Sequence, residues 1–545
     1  LTVCLLAFCL HLFGNDRASL WDRDEPRYAG CTREMRASGD WLNPHFNAEP
    51  RYHKPVLIYW LMSGAMGIAG ESAFGARLVS VLMGTATCVA VWGLGRRLFS
   101  ERVGLWAGMM AATTPLLVYN AKSATTDATL TFFIVMTMWA LWELHQRVSW
   151  RWSLVFWLGL SLATLTKGPV GVCFVVLAGI VSWLWSGLRA GWSRLSWKWG
   201  PALYVLLTAP WFIAIGVISQ GRFYDVAMGR HVIERMTSPM ETHGGFPGFY
   251  VILSMGLLFP WSAFVPGGFL AAWRERRAMP AVGFLAGWVV GPLIMLELIR
   301  TKLIHYYLPA VPAIVLLAAW WVDRVAASDL NIRRWPLGRL ATVMVGLVGI
   351  GIVAVLVGVA WVGGGPVRLP SLVMAVVAGG GCLWALERLL MGATWAAVKG
   401  LAATWGVVLA LAGGWLLPAV EPYRLTQKVA RVLRAEERAT GAAAWLGDFK
   451  PPGIVWEMGR PIPVIDKPAE FVESLERGGP VVTVLMEPGY AQLAKDPRLE
   501  IEERGTVSGL DIERGRWHTV RVVQVRARGG SGEGVARSAE EAAIK

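Results

Sequence analysis

Apolar residues run through this chain in blocks, each about twenty residues long and separated by short polar connections. A helix of that length crosses a bilayer core, so the blocks predict membrane spans. They fall near 1–13, 74–95, 103–120, 126–145, 152–166, 169–187, 201–219, 248–270, 280–299, 304–322, 340–362, 369–390 and 397–418. The pattern therefore predicts a polytopic α-helical membrane protein with about thirteen transmembrane helices. The first block, Leu1 to Phe13, is short; with no small-residue cleavage motif after it, it is read as a span lacking its opening turn or two. Pro55 to Gly70 is also apolar and short and carries Gly64, Gly67 and Gly70, which predicts a re-entrant or interfacial helix.

The polar connections alternate in charge. One set holds Arg96, Arg97 and Arg102; Arg147 and Arg151; Arg189, Arg194 and Lys198; Arg274, Arg276 and Arg277; Arg333, Arg334 and Arg339; and Arg388 and Lys399. The positive-inside rule places these in the cytoplasm. The opposite set comprises 14–73, 120–126, the Lys167-Gly168-Pro169 turn, 220–247, 300–303 and everything after about 418. An odd number of spans also puts the C-terminus on that outer side, where the long loops are.

After Pro418 the apolar blocks stop. Residues 419–528 mix polar and apolar positions as a small extracytoplasmic α/β domain would, and 1–418 form the membrane domain. Gly453 to Trp456 and Pro480 to Leu485 are read as strands, Ala469 to Arg477 and Tyr490 to Lys495 as short helices. The Gly-, Ser-, Glu- and Ala-rich tail, 529–545, is expected to be disordered.

Composition agrees. The chain is 55% hydrophobic and 17% charged, and its 30 tryptophans suit membrane–water interfaces. The net charge of +14 does not indicate nucleic-acid binding: the basic residues are scattered through short loops, with no basic helix interleaved with aromatics. Five of the six cysteines lie in apolar spans and none forms a CxxC pair, so they read as small buried hydrophobes.

The candidate chemistry gathers in the first outer loop, 14–73. Asp22-Arg23-Asp24-Glu25-Pro26-Arg27-Tyr28 places three carboxylates close together beside a bilayer, where they repel one another and are costly to desolvate. Asp24 before Glu25-Pro26 is a helix start, and 25–38 is read as an amphipathic helix lying on the outer surface, ended by Gly39. Asp24 is then a cap, a catalytic carboxylate, or both, with Glu25 and Arg27 supporting the acidic loop. Lys54, fixed before Pro55, suits a lipid phosphate or an interfacial snorkelling role. Asp127 follows Thr125-Thr126 at an outer helix start and reads as another cap or as a second acidic group. Lys167 is read as ordering its turn.

Asp24-Glu25-Pro26-Arg27-Tyr28-Ala29, Arg33-Glu34-Met35, Ser38-Gly39-Asp40-Trp41, Lys54-Pro55, Asp127-Ala128, Leu165-Thr166-Lys167-Gly168-Pro169 and Tyr306-Tyr307-Leu308-Pro309 together resemble the aminoarabinose lipid A transferase and protein O-mannosyltransferase superfamily, over residues 20 to 320. The tail with Gly459-Arg460-Pro461 is similar to the C-terminal domain of the aminoarabinose branch. The resemblance implies a GT-C type glycosyltransferase fold that moves a sugar, with inversion, from a polyprenyl-phosphate donor to a lipid A-like glycolipid or other cell-envelope acceptor. It implies a bacterial inner-membrane protein with its active site on the outer face. Asp24 matches the catalytic carboxylate, Asp127 a second acidic residue at the cavity, and Lys54 a lysine on the carrier phosphate. His231 and Arg235 match a stretch holding a metal ligand and a phosphate contact, and Lys302 is a further phosphate candidate. Where the aminoarabinose branch has Glu-Lys-Pro, this chain has His53-Lys54-Pro55, a departure that bears on both metal and sugar. No cofactor is required by these residues; His53, His231 and His243 admit a divalent metal such as zinc. A flippase for lipid-linked sugars and a protein O-glycosyltransferase are the alternatives, and a non-catalytic assembly subunit would not need the acidic cluster. The flippase is disfavoured by the lack of an internal repeat and by charges clustering at one face.

Overall fold

The computed structural model describes residues 1–227, 229, 245–327, 332, 336–465 and 468–528. The chain divides into two compact units. The first is Leu1–Ala18, Gly39–Pro44 and Arg51–Ala419; the second is Ser19–Ser38, His45–Pro50 and Val420–Lys545.

The first unit is helical. Among the described residues, eight helices are long and apolar enough to span a membrane, from Ala73–Leu98 to Thr394–Tyr423, and Thr2–Leu12, Leu57–Ala69 and Val170–Ser186 are shorter apolar helices. This is a multi-pass membrane protein. Two predicted spans are broken rather than continuous. The 103–120 block is Glu101–Ala112 followed by Pro115–Ala121, because Pro115 cannot continue the preceding ladder. The 248–270 block is Phe249–Leu257, a 3₁₀ turn at Trp261–Phe264 after Pro260, and Val265–Glu275. The Pro55 to Gly70 stretch folds as Leu57–Ala69, only 13 residues long.

Helix Pro280–Leu298 packs on Val170–Ser186 through Gly283, Gly287 and Gly291. A Cβ at these three would run into Ser186, Ser182 and the Leu177 carbonyl respectively. Small residues every fourth position let two helices approach backbone to backbone, where dispersion rather than hydrophobicity drives association in lipid. Arg77, almost wholly buried, donates to the carbonyls of Asn15 at 2.9 Å and Ala18 at 2.7 Å, fixing the chain where it leaves the first helix.

The second unit contains a four-stranded sheet. Its strands are β3 (Ala443–Leu446), β4 (Val481–Leu485), β5 (Leu499–Asp511) and β6 (Arg516–Ala527), β1 (His45–Phe46) and β2 (Glu49–Pro50) forming a separate hairpin. The sheet order is β3-β4-β6-β5, with β3 parallel to β4 and the other pairs antiparallel. The predicted strand at Gly453 to Trp456 is instead a helix, Pro452–Met458: Pro452 starts it and Gly459, at φ 79°, stops it. The short helix expected at Tyr490 to Lys495 runs over Glu487–Leu493, and the helix at Pro468–Gly478 is as expected.

The larger revision concerns the first outer loop. Helix Asp24–Ser38 does form, but it is not a surface amphipath: Glu25, Pro26, Tyr28, Ala29, Gly30, Cys31, Thr32 and Met35 are buried. It packs on helix Pro452–Met458, whose last carbonyls take Arg33: the guanidinium donates to Val455 at 3.1 Å and Trp456 at 3.0 Å. Two separate pieces of the loop thus complete the α/β unit that the sequence assigns to 419–528 alone. The tail 529–545, expected to be disordered, lies outside the described residues.

Candidate active site

The membrane-embedded unit holds a cavity of about 560 Å³. Three helix ends bring its charged groups together. Asp127 opens helix Asp127–Gln146, Lys167 closes helix Trp150–Lys167, and Lys54 precedes Pro55 just before helix Leu57–Ala69. The chain can turn back immediately after Lys167 because Gly168 adopts φ 69°, a left-handed conformation that only glycine takes without strain.

Asp127 is not a cap. Its carboxylate accepts from the Lys167 ammonium at 2.6 Å, and the two side chains are 9% and 8% exposed. The Lys167 ammonium also lies 5.2 Å from the Tyr306 ring centre. His53 and His305 share this polar end, while Leu130, Phe174, Phe212, Phe223 and Ile299 form apolar wall. Lys54 and Lys167 thus line the same cavity as the Asp127 carboxylate, in largely apolar surroundings. Cationic side chains in such surroundings interact strongly with an anionic group. An apolar cavity lined in part by cations has the chemistry of a lipid phosphate site.

Lys302, a phosphate candidate by sequence, does not line this cavity. It is almost wholly buried and ion-paired to Glu297, whose carboxylate also accepts the Gly248 N–H at 3.1 Å. Lys167 went the other way: it was read as a turn residue, and it faces the cavity. A lysine in a turn of three residues between two apolar blocks is the signal for it, since a charge there needs a partner. His305 and Tyr306 also line the cavity without having been singled out as site residues; Tyr306 opens a block of the family resemblance, while His305 carries no comparable signal. His231, Arg235 and His243 lie outside the described residues. Among the described residues, no three His, Cys, Asp or Glu side chains come together as a metal-ligand set.

The acidic loop belongs to the second unit, and its three carboxylates differ sharply. Asp22 is buried; its carboxylate accepts the Gly453 N–H at 2.7 Å and lies 3.9 Å from Arg424. Burial pushes its pKa above the ordinary carboxylate range, against the pull of the Thr426 hydroxyl, Arg424 and the Gly453 N–H. Glu25 is buried as well, accepting the Trp21 N–H at 2.7 Å. Asp24 is different. Its side chain is 55% exposed, with Arg27 at 4.0 Å. Two of the three carboxylates are consumed in building the loop, and Asp24 is the one that presents itself to solvent.

ArnT from Cupriavidus metallidurans, solved bound to undecaprenyl phosphate, superposes with a TM-score of 0.78 at 22% identity, covering 97% of this chain and 98% of that one. The chain has a GT-C fold. The resemblance of this GT-C chain to the aminoarabinose transferase and protein mannosyltransferase superfamily is borne out by sequence too. The family model for dolichyl-phosphate-mannose-protein mannosyltransferase matches residues 53–213, a stretch containing Lys54, Asp127 and Lys167. The undecaprenyl phosphate-alpha-4-amino-4-deoxy-L-arabinose arabinosyl transferase of Pseudomonas aeruginosa (strain UCBPP-PA14) is 31% identical over 324 residues, 58% of each chain. That of Edwardsiella ictaluri (strain 93-146) is 30% identical over 339 residues, 61% of this chain and 60% of the other. This GT-C chain thus spans about three-fifths of the length of the curated relatives it matches.

Proposed function

We propose that this protein is an inverting glycosyltransferase of the bacterial inner membrane. It takes a sugar from a polyprenyl-phosphate donor and transfers it to a lipid A-like glycolipid or another cell-envelope acceptor on the outer face. The observation that carries this reading is the apolar cavity lined by Lys54, Lys167 and Asp127. The solved relative bound to undecaprenyl phosphate and the relatives' names, which specify an undecaprenyl-phosphate-linked sugar, support the same donor class. The alternation of basic loops supports the outer-face placement.

The chemistry follows from the charges. Breaking the bond between the anomeric carbon and the donor phosphate leaves negative charge on the leaving phosphate. Lys54 and Lys167, held in an apolar and water-poor cavity, stabilise that charge more strongly than they would in water. Asp127 holds Lys167 in place and lowers the cost of burying it. Asp24, carried over from the family resemblance, acts on the acceptor. A hydroxyl acceptor gives its proton to Asp24 as general base; an already ionised phosphate acceptor is oriented by the loop without proton removal. Attack on the face opposite the leaving phosphate inverts the anomeric centre. Phosphate binding by Lys302 would require displacing Glu297, so the proposal rests on Lys54 and Lys167.

The test is transfer by the purified protein in lipid nanodiscs, with undecaprenyl-phosphate-linked aminoarabinose as donor and lipid A as acceptor, read by mass spectrometry. One added sugar, lost in Asp24→Asn, supports the proposal. Transfer to a protein or another glycan instead moves the acceptor and leaves the mechanism. Movement of the donor between leaflets with no transfer to any acceptor sinks it.

A further inference from the structure

Arg424 is among the most buried charged residues of the second unit, with a side chain only 1% exposed. A guanidinium is kept from water only where its donors find acceptors, since an unpaired buried charge is expensive. Its acceptors all cluster around the segment leading into Asp24. It donates to the Ser19 hydroxyl at 2.5 Å, the Leu20 carbonyl at 2.6 Å and Glu421 at 2.7 Å, and it lies 3.9 Å from Asp22 and 5.0 Å from the Trp21 ring centre. Ser19 is the hub of the same cluster: Gln427 donates to its hydroxyl at 2.7 Å, and the hydroxyl donates to Glu421 at 2.8 Å.

The far end of the loop is tied just as closely. Asn47 exchanges two hydrogen bonds with Ile462, its side-chain amide donating at 2.8 Å and its side-chain carbonyl accepting at 2.6 Å. Asn47 and Ala48 form the two-residue turn between β1 and β2, both at positive φ, 58° and 63°. Alanine rarely takes that conformation, and here the Glu34 carboxylate holds it by accepting both turn N–H groups, at 2.6 and 3.0 Å. Asp24 therefore sits in a segment pinned before it by Arg424 and after it through Glu34 and Asn47.

We propose that the C-terminal α/β domain works as a positioning frame for Asp24, with Arg424 and Ser19 as its positioning residues. Neither touches substrate. They hold the segment 19–22 so that the Asp24 carboxylate keeps one orientation, which matters because small misplacements of a catalytic group cost large factors in rate. The inference rests on the transferase reading for its kinetic consequence, though not for the clamp itself.

Arg424→Lys keeps the charge but loses the planar fork, and Ser19→Ala removes the hub with the least disturbance of the fold. In both full-length variants, deuterium exchange across 19–38 is expected to rise, with kcat of the transfer assay falling at least tenfold. KM for the donor and affinity for undecaprenyl phosphate should stay within twofold of wild type, since Lys54 and Lys167 belong to the other unit. In the double variant with Asp24→Glu, the losses should be less than multiplicative. Unchanged exchange across 19–38 overturns the clamp. Raised exchange with full kcat overturns its role in positioning, as does a parallel fall in donor binding and thermal stability, which marks general unfolding. Wild-type protein with no transfer at all would instead overturn the transferase reading, and the exchange measurement would still report on the clamp.

Discussion

Lys167 donates to Asp127 across 2.6 Å, with both side chains almost out of reach of solvent. Each makes the other's burial tolerable. Removing one partner strips the other of its direct hydrogen-bonded counter-charge, whereas replacing both by neutral groups of similar shape removes the need for one. Lys167→Ala should therefore destabilise the membrane unit by about 3–5 kcal/mol, and Asp127→Asn combined with Lys167→Met should recover most of that loss. Thermal unfolding of the purified variants checks this; a double variant as unstable as Lys167→Ala would show that the pair is not the cause.

Lys54 should contribute to binding rather than folding. Hydrogen bonds to charged groups are worth about 1.5–3 kcal/mol, so Lys54→Ala should weaken undecaprenyl phosphate binding by roughly ten- to a hundredfold. Titration with the lipid in native mass spectrometry provides the measurement. Lys302→Ala should behave differently, lowering stability through the stranded Glu297 carboxylate before it lowers lipid affinity.

Asp24 and Glu25 are neighbours with opposite expectations. An exposed pair such as Asp24 with Arg27 contributes less than about 1 kcal/mol, so Asp24→Asn should abolish transfer and leave the unfolding temperature unchanged. Glu25→Ala strands the Trp21 N–H in the interior and should cost about 1–3 kcal/mol of stability. Circular dichroism and transfer assays on the two variants separate these effects, and a stable, fully active Asp24→Asn would remove Asp24 from the chemistry.

The glycine seam between Pro280–Leu298 and Val170–Ser186 makes its own prediction. Gly291→Leu should cost about 1–3 kcal/mol or more, because the added side chain must enter the Leu177 backbone. Ile294, on the same helix and 53% exposed, should tolerate alanine with little change. Detergent-solubilised thermal stability of the two variants tests the contrast; equal effects would place the seam elsewhere.

How much of this was legible depended on which interaction decided each feature. The long spans, the helix at 24–38 and strand β4 follow from local hydrophobic pattern and capping, and these were readable. The strand expected at Gly453 to Trp456 failed because four apolar residues fit a strand or a buried helix equally well, and the flanking Pro452 and Gly459 carried the deciding signal. The amphipathic reading of 25–38 failed for a different reason: the helix is covered by a segment far along the chain, with Arg33 donating to Val455 and Trp456 more than 400 positions away. Gly283, Gly287 and Gly291 recur every fourth position, but the helix they meet is decided by the fold alone.

The sequence by itself determined the medium and the inventory: a chain too apolar to stay in water, spans set by bilayer thickness, and a short list of polar residues that a membrane protein keeps only with a use for them. Tertiary structure alone decided how those residues are employed. Asp22, Asp24 and Glu25 look alike along the chain, yet two are buried as scaffolding and one is exposed. Lys167 and Lys302 are both lysines at the ends of apolar blocks, yet one faces a cavity opposite Asp127 and the other is neutralised by Glu297. The reason is that the cost of a charge depends on its surroundings in three dimensions, on burial and on partners brought from distant positions, and local sequence carries neither.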